Sequence, residues 1–246
     1  MLARVVRALA RHRAIARIVV VIEDGTPVAT ALGSLYRRVE IVRARETAAA
    51  SAAAAIAAAR FDGPVLVTTA DHALLDKAML DHFMAASEAS GADVTAGLAR
   101  AETILSRYPE AKRTFLRLGG DRISGCNLYG FLTPRGHKAI AFWERIEANR
   151  KRPLMLVAAF GLMPLLRFLT GTLNLETAFR LASGRIGVVA RPVVMPMPEA
   201  AIDIDKPEDK TLVDEILARR WSAGSPPPQA GELLNPPKRA YQPSRL

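Results

Sequence analysis

Pro64-Val-Leu-Val-Thr68-Thr69-Ala70-Asp71-His72-Ala-Leu-Leu75 takes an apolar, β-branched run into a polar turn that holds an aspartate and a histidine. A run of this length and branching reads as a buried strand. A carboxylate just past its carboxyl end stands where open α/β sheets bind ligands. Working upstream, residues 18–22 (Ile-Val-Val-Val-Ile) form another strand, ending in the turn Glu23-Asp24-Gly25-Thr26-Pro27. Residues 39–42 read as a strand, and the alanine-rich residues 47–60 as a helix, since alanine has the highest helix propensity. Residues 2–11 set Leu2, Val5, Val6 and Leu9 on one helical face. Downstream, a helix over 76–90 stops at Gly91, and 94–98 is a strand. Strands alternating with helices imply an α/β fold with a mostly parallel sheet covered on both faces.

The second half has a different grain. Residues 114–118, 121–124 and 127–132 read as short strands, with Gly119-Gly120 as a hairpin turn. Helices are expected at 134–149, 153–168 and 175–183, a strand at 186–194 and a last helix at 207–219. This mixed α+β segment is expected to shape an acceptor site. From residue 222 the chain is rich in proline and glycine and reads as a disordered tail, leaving one domain over 1–221.

Composition narrows the function classes. One cysteine, Cys126, excludes an intrachain disulfide, and no Cys/His cluster has zinc-ligand spacing, so a reducing, cytoplasmic setting is expected. Arg4, Arg7, Arg11, Arg13 and Arg17 interrupt the apolar positions of the first residues, unlike a secretory signal. The apolar stretch 153–166 is too short to span a bilayer, so no stable membrane insertion is expected; it reads as a buried helix or, alternatively, an interfacial or lid helix. The net charge of +10 alone would allow nucleic-acid binding, but no helix-turn-helix, RRM, KH or zinc-finger pattern supports it; handling of nucleotides or phosphorylated substrates explains the charge equally well, and no nucleic-acid partner is expected.

Two acidic positions carry chemistry. Asp71 is one; Asp203-Ile204-Asp205-Lys206-Pro207-Glu208-Asp209, ahead of the last helix, is the other. In an extended strand Asp203 and Asp205 would point the same way. Carboxylates from separate strand ends suit Mg²⁺ when a nucleotide's phosphates complete its shell. The plainer roles are a turn or helix cap for Asp71, and a cap for the helix opened by Pro207 for Asp205. Ser124-Gly125-Cys126-Asn127 precedes an apolar strand; Asn127 offers a donor and an acceptor to an acceptor substrate, or simply turns the chain. Arg113 and Arg150-Lys151-Arg152 are candidates for binding an acceptor phosphate, or are solvated charges. His72 adjoins the candidate metal site. Cys126 reads as a small buried apolar residue, and His12, His82 and His137 belong to no constellation.

Taken in order, the strand with Thr69-Ala70-Asp71-His72 and the distant Asp203-Ile-Asp205-Lys-Pro-Glu-Asp209 resemble the MobA-like NTP transferase family over roughly residues 1–219. The resemblance implies a Rossmann-like, three-layer GT-A-type nucleotidyltransferase fold. It implies transfer of a nucleoside monophosphate from an NTP donor to a phosphorylated small-molecule acceptor, with Mg²⁺ and release of pyrophosphate. By the same resemblance Asp71 and Asp205 match metal ligands, with Asp203 beside them, and Ser51 matches a small residue near the nucleotide base. One feature departs: the family's opening strand and G-G-x-x-x-R-M loop, whose amides and cations hold the triphosphate, have no counterpart in these residues. The sequence is expected to begin after that loop, through a late-assigned start or a loss of transfer activity. Two other readings follow: a non-catalytic binding or regulatory domain, and a GT-A glycosyltransferase using Asp203-Ile204-Asp205 as a D-x-D sequence.

Overall fold

The computed structural model describes residues 1–60, 63–147 and 152–222. Helix α1 (Leu2–Arg11) buries Val5 and Val6. Strand β1 (Val19–Ile22) pairs in parallel with β2 (Glu40–Arg43). Between them lie α2 (Val28–Leu32) and a 3-10 turn over Gly33–Arg38, each too short to show a period in sequence. Helix α3 (Ala48–Ala59) starts where Thr47 Oγ1 accepts the Ala50 N–H at 3.1 Å. Strand β3 (Val65–Thr68) leads through the Asp71 turn to α4 (Lys77–Ala89), capped by Asp76, which accepts from the Met79 N–H at 3.0 Å.

β4 (Val94–Arg100) and the short α5 (Ala101–Leu105) precede a hairpin of β5 (Leu116–Leu118) and β6 (Asp121–Phe131). Then come α6 (Lys138–Glu147), α7 (Pro153–Ala158), α8 (Leu162–Leu169), α9 (Leu175–Ile186) and β7 (Ala190–Val194). A 3-10 turn at Pro198–Ala201 precedes α10 (Pro207–Ser222).

The main sheet has the order β3-β6-β4-β7, with β5 attached to β6. β6 runs antiparallel to both β3 and β4, whereas β4 and β7 are parallel. β3, β4 and β7 thus share a direction, as the alternation predicts, but the sheet as a whole is mixed rather than mostly parallel. The cause is the β5–β6 hairpin, which returns the chain antiparallel without a crossover and inserts it between β3 and β4. The two short strands expected at 121–124 and 127–132 are one strand. Its pairing with β4 is irregular between Ala96 and Leu98, and Asn127 there takes the left-handed φ of 50°. That bulge breaks the alternation and makes one strand look like two.

Two helix expectations also change. The helix expected over 153–168 is broken at Gly161, whose φ of 117° suits glycine, with Pro164 in the first turn of α8. The helix expected over 175–183 runs on to Ile186 and stops at Gly187 in the left-handed region, so β7 begins at Ala190 rather than at 186. Arg150, Lys151 and the expected tail beyond 222 lie outside the described residues.

One core joins the ends of the described chain: Val5 of α1 and Ile216 and Leu217 of α10 belong to the cluster built on Met79, Leu80, Phe83, Leu128 and Met195. Among the described residues, no helix is long and apolar enough to cross a membrane.

Gly130 leaves room for a neighbouring side chain where β6 pairs with β4. It lies opposite Thr95, whose fully buried hydroxyl hydrogen-bonds Ser87 Oγ at 2.7 Å. A Cβ at Gly130 would stand 2.5 Å from Thr95 Oγ1. Gly130→Ala is therefore expected to lower stability by about 1–3 kcal/mol in urea unfolding, and pairing it with Thr95→Ala should recover part of the loss.

Candidate active site

The turn after β3 is tightly bonded. The Thr69 hydroxyl donates to the Asp71 carboxylate, the Ala73 N–H to the Asp71 carbonyl at 2.8 Å, and the Leu75 N–H to the His72 carbonyl at 3.1 Å. The Asp71 carbonyl also accepts the Ile204 N–H at 3.3 Å. This backbone contact brings the Asp203–Asp205 segment against the β3 turn, with Ile202 buried and Ile204 packed on the same core.

Asp203 and Asp205 do not share an orientation or an environment. The segment is irregular rather than a strand, so the two-residue alternation does not apply. Asp203 is buried: Arg113 donates to one carboxylate oxygen, and Asn127 Nδ2 to the other at 2.6 Å. Asp205 is exposed, and among the described residues its carboxylate takes no hydrogen bond or ion pair. Nor does it cap α10: the Asp209 carboxylate accepts the Asp205 and Lys206 N–H groups at 3.2 and 2.9 Å. An acidic side chain three residues past Lys206 is a capping-box spacing that the sequence carries.

Electrostatics single out Asp71. Burial raises its pKa, the charges of Asp203 and Asp205 raise it further, and the Thr69 hydroxyl opposes the shift. Burial works against the Arg113 charge, but its hydrogen bond to Asp203 and the nearby carboxylates hold its pKa above the ordinary value. Arg113 thus neutralises Asp203, and the negative field at Asp71 and Asp205 persists. Two oxygen donors in an excess of negative charge fit a hard divalent cation that takes its remaining ligands from water and phosphates. No group of three His, Cys, Asp or Glu residues that could hold an ion by itself occurs among the described residues.

The other sequence candidates divide. Asn127 reaches the site because the β6 bulge falls beside Leu128, which pairs with Thr68 at the end of β3. Arg113 comes to the site too, but as the partner of Asp203 and 11% exposed. Ser51 lies inside α3, where its hydroxyl accepts the Arg45 N–H at 2.9 Å and so ties down the loop after β2. His72 is 1% exposed, and burial pushes its pKa down to about 4. Cys126 is buried, and its thiol is pushed up to about 12 by that burial, as suits a core residue. Sequence reasoning overlooked Thr69 and Asp209; the Thr-x-Asp turn and the capping spacing were the available signals. A shallow groove between α3 and α6, lined by Ile56, His137 and Ile140, lies apart from these carboxylates.

The mixed α/β fold that gathers carboxylates at the end of β3 is shared, as a fold, with several solved structures. A hypothetical transferase from Thermus thermophilus is 29% identical, with 85% of each chain covered and a TM-score of 0.69. A 4-diphosphocytidyl-2C-methyl-D-erythritol synthase is 15% identical over 88% of this chain and 89% of its own, with a TM-score of 0.54. A CMP:2-keto-3-deoxy-manno-octonic acid synthetase solved with CTP is 10% identical over 89% and 88%, with a TM-score of 0.53. At such identities the last two show the fold alone. No curated protein matches the sequence. The model of the MobA-like NTP transferase domain matches residues 1–169, and the chain belongs to that family.

Two measurements test this geometry. Arg113→Met should destabilise the protein by roughly 3–5 kcal/mol in urea unfolding, because it strands a buried carboxylate; adding Asp203→Leu should recover part of that. For His72, the pKa is lowered in the folded state, so its contribution is fully present above the ordinary value of 6.5 and is lost as pH falls toward about 4. Between pH 7 and 5 in a chelator, the wild type should lose roughly 2 kcal/mol more than His72→Gln.

Proposed function

We propose that the protein is a cytoplasmic, Mg²⁺-dependent nucleotidyltransferase that moves a nucleoside monophosphate from an NTP to a phosphorylated small-molecule acceptor and releases pyrophosphate. The observation that carries this reading is the backbone contact between Ile204 and Asp71, which holds two carboxylates, Asp71 and Asp205, beside one strand end. Family membership and the nucleotidyltransferase fold support the reaction class.

In this reading Asp71 and Asp205 are the oxygen donors to the metal. Bound there with the nucleotide, Mg²⁺ would offset charge on the phosphates. Asp203 sits beside them with both oxygens engaged, so its part is to keep Arg113 and Asn127 in place. The remaining amide oxygen of Asn127 is proposed to face the acceptor, and Ser51 to shape the base side through the loop it fastens. Arg113 acts as a positioning residue, since its charge is committed to Asp203. The acceptor's phosphate oxygen attacks the α-phosphorus in line and pyrophosphate leaves; alignment and charge compensation supply the rate.

A second reading, a non-catalytic binding or regulatory member, is favoured by one observation: Arg113, a cation beside these carboxylates, is committed to Asp203 rather than open to a triphosphate. A glycosyltransferase use of Asp203-Ile204-Asp205 is disfavoured, because one of those carboxylates is buried against Arg113.

Thermal-shift titration with each NTP, starting with CTP, with and without Mg²⁺, separates the two readings. Stabilisation that needs both metal and one nucleotide is expected; a cooperative melt that no NTP moves supports the non-catalytic reading. Asp71→Asn should cut pyrophosphate release at least about a hundredfold. It should leave the melting temperature unchanged or higher, since it removes a carboxylate that its neighbours repel. Full turnover in that variant would remove Asp71 from the metal site.

A further inference from the structure

Helices α7 and α8 form a hairpin around Gly161, and one side of it is anchored. Val157, Leu165 and Phe168 pack on Leu118 and Ile123 of the β5–β6 hairpin. The other side is open: Leu154, Met155, Leu162, Met163, Leu166 and Leu169 are between 48% and 71% exposed. On α8, residues 162, 166 and 169 follow the helical repeat, so they make one stripe facing away from the core. Isolated exposed leucines are ordinary, but six large apolar side chains within sixteen residues form a patch of the kind that marks an interaction surface.

The charge around the patch indicates what covers it. From Arg152 to Leu175 the sequence has no acidic residue, while Arg152 and Arg167 flank the apolar side chains. A second copy meeting this face across a two-fold axis would bring arginines toward arginines with no carboxylate of the patch between them. An apolar strip edged with cations and free of anions instead matches a bilayer with anionic headgroups, which accepts apolar side chains below the headgroup level and arginines at it.

We propose that the α7–α8 hairpin docks the protein peripherally on an anionic lipid bilayer. The hairpin's support also places this surface relative to the candidate site. Ile123 pairs with Arg100 at the end of β4, and Leu128 of the same strand pairs with Thr68 at the end of β3, just before Asp71. The docking face is therefore carried on the end of the sheet that holds the carboxylates. Docking does not depend on nucleotidyl transfer and is measured without it.

The test is co-sedimentation of the full chain with vesicles of equimolar phosphatidylglycerol and phosphatidylcholine, against phosphatidylcholine alone, at low and high salt. Binding is expected to the anionic vesicles and to weaken with salt. Leu162→Ser/Leu166→Ser should lower the partition coefficient at least tenfold or so, and Arg152→Ala/Arg167→Ala by roughly tenfold or more at low salt. Because all four side chains lie on the unburied side or at its edge, both variants should melt at the wild-type temperature. Equal sedimentation with neutral and anionic vesicles, retention of binding by both variants, or light scattering that shows a dimer lost on Leu162→Ser/Leu166→Ser would overturn the proposal.

Discussion

A nearly buried carboxylate must be neutralised or it will not stay buried, and Asp203 is the place where this chain meets that constraint. Arg113 and Asn127 meet it from two sequence-distant directions: the loop before β5 and the bulge in β6. With Asp203 held, Ile202 and Ile204 are seated in the main core on either side of it, and the Ile204 N–H reaches the Asp71 carbonyl. The metal role proposed for Asp71 and Asp205 depends on this seating of the segment between Ile202 and Ile204.

The same arrangement explains a division of labour among three aspartates that look interchangeable. Asp203 has its charge paired with Arg113 and both oxygens engaged. Asp205 stands in water with no partner among the described residues, because Asp209 has taken over the capping of α10. Asp71 lies between, partly buried, and feels both neighbours as repulsion. The raised pKa of Asp71 comes first from burial and then from the neighbouring negative charge, and that state favours a ligand that supplies a cation.

β6 connects the candidate site with the exposed face of the α7–α8 hairpin. Its early residues, with β5, carry the α7–α8 hairpin; its bulge turns Asn127 toward Asp203; its later residues pair with β3 and β4. An antiparallel strand between two strands of common direction has its start at their carboxyl ends. That is why the segment opened by β5 and β6 meets the Asp71 turn at all.

The strand–turn with Asp71, the capped helices and the direction shared by β3, β4 and β7 were legible in the sequence, because each rests on local rules: branched apolar runs, side-chain caps and right-handed crossovers. So was the pairing of Asp71 with the Asp203–Asp205 segment, through family resemblance rather than geometry. The insertion of β6 between β3 and β4, the fusion of two apparent strands at Asn127, and the break of the 153–168 helix at Gly161 were not, since each depends on which distant backbone lies alongside. Tertiary structure alone also decided that Arg113 belongs to Asp203, that Asp203 and Asp205 lie in opposite environments, and that half of the α7–α8 hairpin remains uncovered. Sequence specifies what each residue can offer; burial and long-range neighbours decide whether a charge is cancelled, concentrated or left facing outward.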